Sequence, residues 1–225
     1  MKRLIVLAFP LLLAACGSGG PPPPDWKTDS ADLVARYQKH ALRGENTLAE
    51  RYFQQAVAAT GGAGRVRETA RLWLVRCATR RAMLIDDSCA EYAELAATEA
   101  KPDAEDAAYF RFVTLRWQDL DPSLLPRQHR ALLRAEAARR HEALAAIDHP
   151  LARLLDASLL LMRGEAGPAT LSLATETASS NGWRHPLLTY LKLEQAQAAS
   201  RGDHATEARL ARRIRLVEEN IAASP

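Results

Sequence analysis

The chain lacks an apolar run long enough to cross a bilayer, lacks a strong charge imbalance, and is poor in β-branched residues. Each shortage removes a class of protein. The apolar run from Leu4 to Leu13, interrupted only by Ala8 and Pro10, covers about ten residues where a membrane helix needs about twenty. Sparse β-branched residues and the lack of period-two alternation argue against a sheet. Lys and Arg together number 30 against 27 Asp and Glu. Two of the basic residues, Lys2 and Arg3, stand ahead of the apolar run, and without them the balance is close to neutral. No excess of positive charge remains for nucleic acid, whose binding rests on neutralising phosphates.

Motifs that carry chemistry are also missing. Gly17-Ser18-Gly19 lies in a Gly/Pro-rich stretch and forms no strained nucleophile elbow, and no glycine loop ends in Lys-Ser or Lys-Thr to cradle phosphates. His141-Glu142 opens a metal-binding helix pattern that needs a second histidine one turn on, where Ala145 stands. His129, His141 and His149 fall on different helical faces and read as surface or packing residues. Asp86-Asp87 precedes a helix and complements its dipole. Glu194 is a lone acid with no partner in sequence. The chain therefore reads as a non-enzyme, and no cofactor or metal follows from it.

What is present begins at the N-terminus. Lys2-Arg3, the short apolar run, and Leu13-Ala14-Ala15-Cys16 resemble the signal sequence and lipobox of bacterial lipoproteins. The resemblance implies removal of residues 1–15 and acylation of Cys16. Acyl chains contribute about 0.8 kcal/mol per buried methylene, so several chains hold a protein on the membrane. Gly17, not Asp, follows the cysteine, and by the same resemblance the expected address is the inner leaflet of the outer membrane, facing the periplasm. Residues 16–29 read as the acylated cysteine and its tether, with Gly17 to Gly20 and then Pro21 to Pro24 as its Gly/Pro-rich part. A polyproline II rod rises about 3.1 Å per residue, so the tether lifts the folded part roughly 20–30 Å off the lipid.

From residue 30 to 225 the chain reads as one all-α domain. Ala, Leu, Arg and Glu are plentiful, all good helix formers. Helices are expected over Ser30–Leu42, Leu48–Ala59, a third carrying Val66, Ala70, Trp73, Leu74, Cys77 and Leu84, and a fourth capped by Asp86-Asp87-Ser88. A fifth opens at Lys101-Pro102-Asp103 and carries Tyr109, Phe112, Val113, Arg116 and Trp117. A long Arg-rich sixth reaches about Ile147, and four more follow, punctuated by His149-Pro150, Gly164 to Pro168, Asn181-Gly182 and Gly202-Asp203. Gly61-Gly62 and Gly64 are expected to form a turn. Short loops between helices of this length imply antiparallel hairpins stacked in sequence.

Gly44-Glu45 followed by Ala49, Phe53 and Ala56 resembles the second half of a tetratricopeptide repeat. Gly164-Glu165 and Gly202-Asp203 echo it. The resemblance implies a tetratricopeptide-like short solenoid in which small residues allow close helix approach and the aromatic fills the gap. Proteins of this kind bind other proteins, and the implied partner belongs to an envelope assembly.

Cys77 and Cys89 are the two cysteines besides Cys16. In an exported chain an even pair reads as a disulfide that would staple the third helix to the fourth. Two buried thiols are the alternative, since Cys77 shares an apolar stripe with Trp73. Tyr109, Phe110, Phe112 and Trp117 crowd one helix, and Trp183 sits in a turn; these aromatics are either core or a partner surface. Arg127, Arg130, Arg134, Arg139 and Arg140 form a basic ridge or a solvated face. The function expected is a lipid-anchored periplasmic scaffold or adaptor for a protein partner. The alternatives are a peptidoglycan-acting enzyme or an activator of one, and a carrier of an apolar ligand.

Overall fold

The computed structural model describes residues 24–222. Cys16, the apolar start and residues 21–23 of the proline run lie outside the described residues. Among the described residues there are eleven α-helices and no strand. They are α1 (Asp25–Arg43), α2 (Asn46–Gly62), α3 (Val66–Ala82), α4 (Ala90–Ala97), α5 (Ala104–Val113), α6 (Arg130–Arg134), α7 (Arg140–Ala145), α8 (Pro150–Met162), α9 (Pro168–Ser180), α10 (Arg184–Ser200) and α11 (His204–Ala222). The fold is all-α and built from neighbouring helices packed in pairs.

Two rows of helices face each other. α1 to α3 form one row, and α8 to α11 the other, with α3 against α8 and α1 against α10. The seam is closed by specific bonds as well as by packing. Tyr190 Oη on α10 donates to the Ala82 carbonyl at the end of α3 at 2.9 Å. The nearly buried Arg81 donates from Nε to the Asp87 carbonyl at 3.0 Å and from Nη1 to Met162 Sδ at 3.0 Å, tying α3 to α8. Arg184 at the start of α10 reaches Glu45 between α1 and α2 at 3.0 Å.

Within the first row, Ala49 and Ala56 are buried on α2, and Phe53 between them is fully buried. The small residues let α2 approach α1, and Phe53 fills the space against Tyr37 and Trp73 with ring centroids 5.2 and 4.8 Å away. α10 and α11 carry a second, smaller core of Leu191, Ala198, Leu210 and Ile214.

Seven of the eleven helices stop in one recurring way. After α1, Gly44 adopts φ 82°, its N–H bonds to the Ala41 carbonyl, and the Glu45 N–H bonds back to His40. This pair of bonds satisfies carbonyls that the helix end leaves open. Gly164 repeats it after α8 with φ 70° and bonds to Leu161 and, from Glu165, to Leu160. Leu84 and Leu115 make the same turn without glycine, at φ 60° and 66°.

Several elements differ from the sequence expectation. α1 begins at Asp25, directly after Pro24, so residues 25–29 are helical and not tether. Proline suits a helix entrance, and Trp26 is held under the Arg65 guanidinium, 5.0 Å from its ring centroid. Gly61 and Gly62 complete α2, and Gly64 alone makes the turn. The Asp86-Asp87-Ser88 cap is displaced: Cys89 precedes α4 in left-handed geometry, φ 56°, with its N–H on Asp87 Oδ1 at 2.8 Å. α5 ends at Val113, leaving Trp117 in the turn that follows. The expected long sixth helix is broken into α6 and α7, with single 3₁₀ turns at Arg127–His129 and Ala137–Arg139 and an extended break at Ala135-Glu136. Leu132 and Leu144, on the two pieces, are both fully buried; twelve residues apart on one straight helix they would point about 120° away from each other.

Glycine substitutions separate backbone strain from packing. A Cβ at Gly164 would meet nothing within 4 Å, yet its φ is 70°. Gly164→Ala should therefore cost about 1 kcal/mol through conformation alone. Gly61 is also in open space but helical, so Gly61→Ala should stabilise by about 0.5–1 kcal/mol. Urea unfolding of both variants measures the opposite signs.

Candidate functional site

The Cys77–Cys89 pair forms a disulfide, with Cα atoms 5.3 Å apart. It joins the later part of α3 to the entrance of α4 and closes a loop that also contains Arg81 and Asp87. Both cysteines are buried. Ligand atoms of Cys77, Asp87 and Cys89 lie within 4.8 Å of one another, but the sulfurs are bonded to each other and offer no thiolate to a metal.

The five aromatics considered as a partner surface divide. Phe112 is fully buried and Trp117 is 8% exposed, so both belong to the core and present no contact face. Tyr109, Phe110 and Trp183 are half-buried and pack against the core. The crowding has a structural cause. α5 packs on α3 and on the 3₁₀ turn at Pro122–Leu124, and its Phe112 lies nearly parallel to Trp117 of the following turn, with centroids 5.3 Å apart. Trp117 also donates from Nε1 to the Phe112 carbonyl at 2.7 Å.

The same rings surround His129, read from sequence as a surface or packing residue, and its pairing with Asp156 is what that reading missed. His129 is 2% exposed, and its Nδ1 lies 2.6 Å from Oδ1 of Asp156, which is fully buried. Tyr109 and Phe112 flank the imidazole, with centroids 5.6 and 5.1 Å away. A cavity of about 140 Å³ lies beside it, lined by Gln38, Thr79, Tyr109, His129 and His149 among others. Asp156 Oδ2 has no hydrogen-bond partner among the described residues. Burial pushes the Asp156 carboxyl above its ordinary range, and the His129 ring pulls it back only in part. The pair braces α8 to the segment before α6. One sequence signal pointed to it: Asp156 is the single acid inside the apolar run Leu154 to Leu161.

A second arrangement is open to solvent. The turn after α5 forms one wall of a recess of about 710 Å³, lined by Arg111, Leu115, Arg116, Trp117, Gln118, Asp119, Arg140 and Arg163. Four elements contribute: α5, the turn over 114–119, the start of α7, and the residue closing α8. Glu165, from the glycine turn after α8, binds both Arg140 and Arg163, the latter at 2.7 Å. Both guanidiniums also lie against Trp117, 5.2 and 4.4 Å from its ring centroid. Partial burial pushes the Glu165 carboxyl up, but the two arginines together outweigh it and hold the group below its ordinary range. Of the five arginines in the expected ridge, only Arg140 reaches this recess. Arg130 donates to the Leu125 carbonyl, and Arg139 pairs with Glu142 at an exposed site.

The sequence matches no protein-family model, no curated protein and no solved structure.

Two measurements test these assignments. Replacing both cysteines, Cys77→Ala with Cys89→Ala, should lower unfolding stability by about 3 kcal/mol, the loop-closure value for a ring of this size, read from urea midpoints. Asp156→Ala should cost about 3 kcal/mol or more, because it strands a buried imidazole. Adding His129→Leu should recover part of that loss, and a double-mutant cycle reads the coupling.

Proposed function

We propose that the protein is a lipid-anchored periplasmic scaffold that binds a protein partner of an envelope assembly. The observation that carries this reading is the lipobox-like Leu13-Ala14-Ala15-Cys16 followed by a Gly/Pro tether that runs into a helix stack. The helical body supports it physically. Two rows of helices bonded across their seam make a stiff body that can hold a binding surface in fixed geometry. An anchor confines that surface to the membrane and raises its effective concentration for a partner at the same membrane. Leu193 and Leu216, on α10 and α11, are exposed apolar residues on the terminal hairpin, where a further helix pair would stack on a solenoid of this kind. The proposal assigns no reaction to the protein.

Two experiments test it. Cys16→Ser should abolish acyl labelling with radiolabelled palmitate; labelling that persists would remove the anchor from the proposal. Crosslinking in the native bacterium, followed by affinity capture, should recover one envelope complex repeatedly. That capture should disappear when residues 25–225 are deleted and the anchor is kept. Recovery of abundant porins and lipoproteins alone would overturn the scaffold reading.

A further inference from the structure

The recess around Trp117 has the charge and donor arrangement of an anion site, and the geometry points to a doubly charged phosphate group as its ligand. Four guanidiniums, Arg111, Arg116, Arg140 and Arg163, line it. Against them stand Asp119 in the wall and Glu165, whose one carboxylate is shared by Arg140 and Arg163. The local balance is two positive charges in excess, matching a phosphate dianion.

The arginines are held in place, yet most of their donors are not consumed. Arg111 gives one N–H to the Gln118 carbonyl, and Arg116 gives Nε to Thr114 Oγ1 at 3.0 Å. Arg140 gives Nη1 to Glu165. Arg163 gives Nε to Glu165 and Nη1 to the Leu115 carbonyl at 3.3 Å. Each guanidinium carries five donors, so these bonds fix the side chains while leaving several N–H groups on each for a ligand. Arg140 Nε is buried and has no partner among the described residues. Packing of Arg140 and Arg163 against Trp117 adds stiffness, and a stiff guanidinium loses little freedom on binding.

The choice of phosphate follows from direction. A carboxylate is planar and is satisfied by one or two forks in its own plane. Here the four guanidiniums are carried by four separate elements, α5, the following turn, α7 and the end of α8. A tetrahedral group with three terminal oxygens uses such an arrangement fully. The turn that forms the wall also holds two non-glycine residues in left-handed backbone, Leu115 at φ 66° and Asp119 at φ 51°.

The phosphate group has two sources, a soluble phosphate ester or a phospholipid headgroup, and calorimetry on the full-length protein in dodecylmaltoside separates them. One arm titrates inorganic phosphate, and the other titrates dodecylmaltoside micelles carrying phosphatidic acid. Arg116→Gln, at an exposed position, should weaken binding about tenfold. Asp119→Asn should tighten it about threefold, since it removes a repelling charge while asparagine tolerates the left-handed backbone. A gain of affinity cannot arise from a misfolded variant. Comparable affinity for both probes supports a soluble ester, and distinctly tighter binding of the lipid supports a headgroup. Failure of both probes to bind, or binding that neither substitution moves, overturns the proposal.

Discussion

The structure depends on one local device, a helix end closed by a single left-handed residue. It occurs at Gly44, Gly64, Leu84, Leu115, Gly164, Gly182 and Gly202, each with an N–H bonded three residues back and the next N–H bonded five back. The device ends a helix within two residues and turns the chain sharply, so the next helix can pack against the last. Where glycine supplies the conformation it costs little; where leucine does, the strain is offset by burial of the side chain against the core. Leu84 and Leu115 are both partly buried there.

The residue after the turn then decides what the hairpin binds to. Glu45 pairs with His40 beside it and with Arg184 from the opposite row. The His40 hydrogen bond is the main reason its carboxyl lies below the ordinary range, although burial opposes the shift. Asp203 instead turns back to cap α11 through the Thr206 N–H at 3.0 Å. Glu165 reaches sideways to two arginines. The same turn thus closes the seam in one place, caps a helix in another and orders a cationic recess in a third.

Local structure was legible in the sequence to the extent that it rests on neighbours along the chain. The Gly44-Glu45 turn, the buried faces of Ala49, Phe53 and Ala56, and the Cys77–Cys89 bond all join residues within one hairpin. Helix type was legible for the same reason, since composition and breakers act over a few residues. The long helix expected up to Ile147 failed because its interruption comes from tertiary demand: Leu132 and Leu144 must both reach the core. No proline or glycine marks the extended Ala135-Glu136. The aromatic crowding on α5 was visible, but only packing could show that Phe112 and Trp117 turn inward.

The two arrangements of charged groups lay beyond sequence reading because each is assembled across long separations. His129 and Asp156 are 27 residues apart, and the recess draws on positions from Arg111 to Arg163. Their opposite exposure separates their roles. A buried ionisable pair with one unpartnered oxygen costs solvation and gains mainly definition of the packing around it, which suits a brace between α8 and the irregular segment that precedes α6. The guanidiniums of the recess are less deeply placed, Arg140 and Arg163 against Trp117 and Arg116 over Phe110, and four of them lining one recess repel each other. Glu165 relieves part of that repulsion for two of the four. Arg111 and Arg116 are held instead by a carbonyl and a hydroxyl, which orient a guanidinium without neutralising it, and it is this uncompensated half of the recess that an anion from outside would complete.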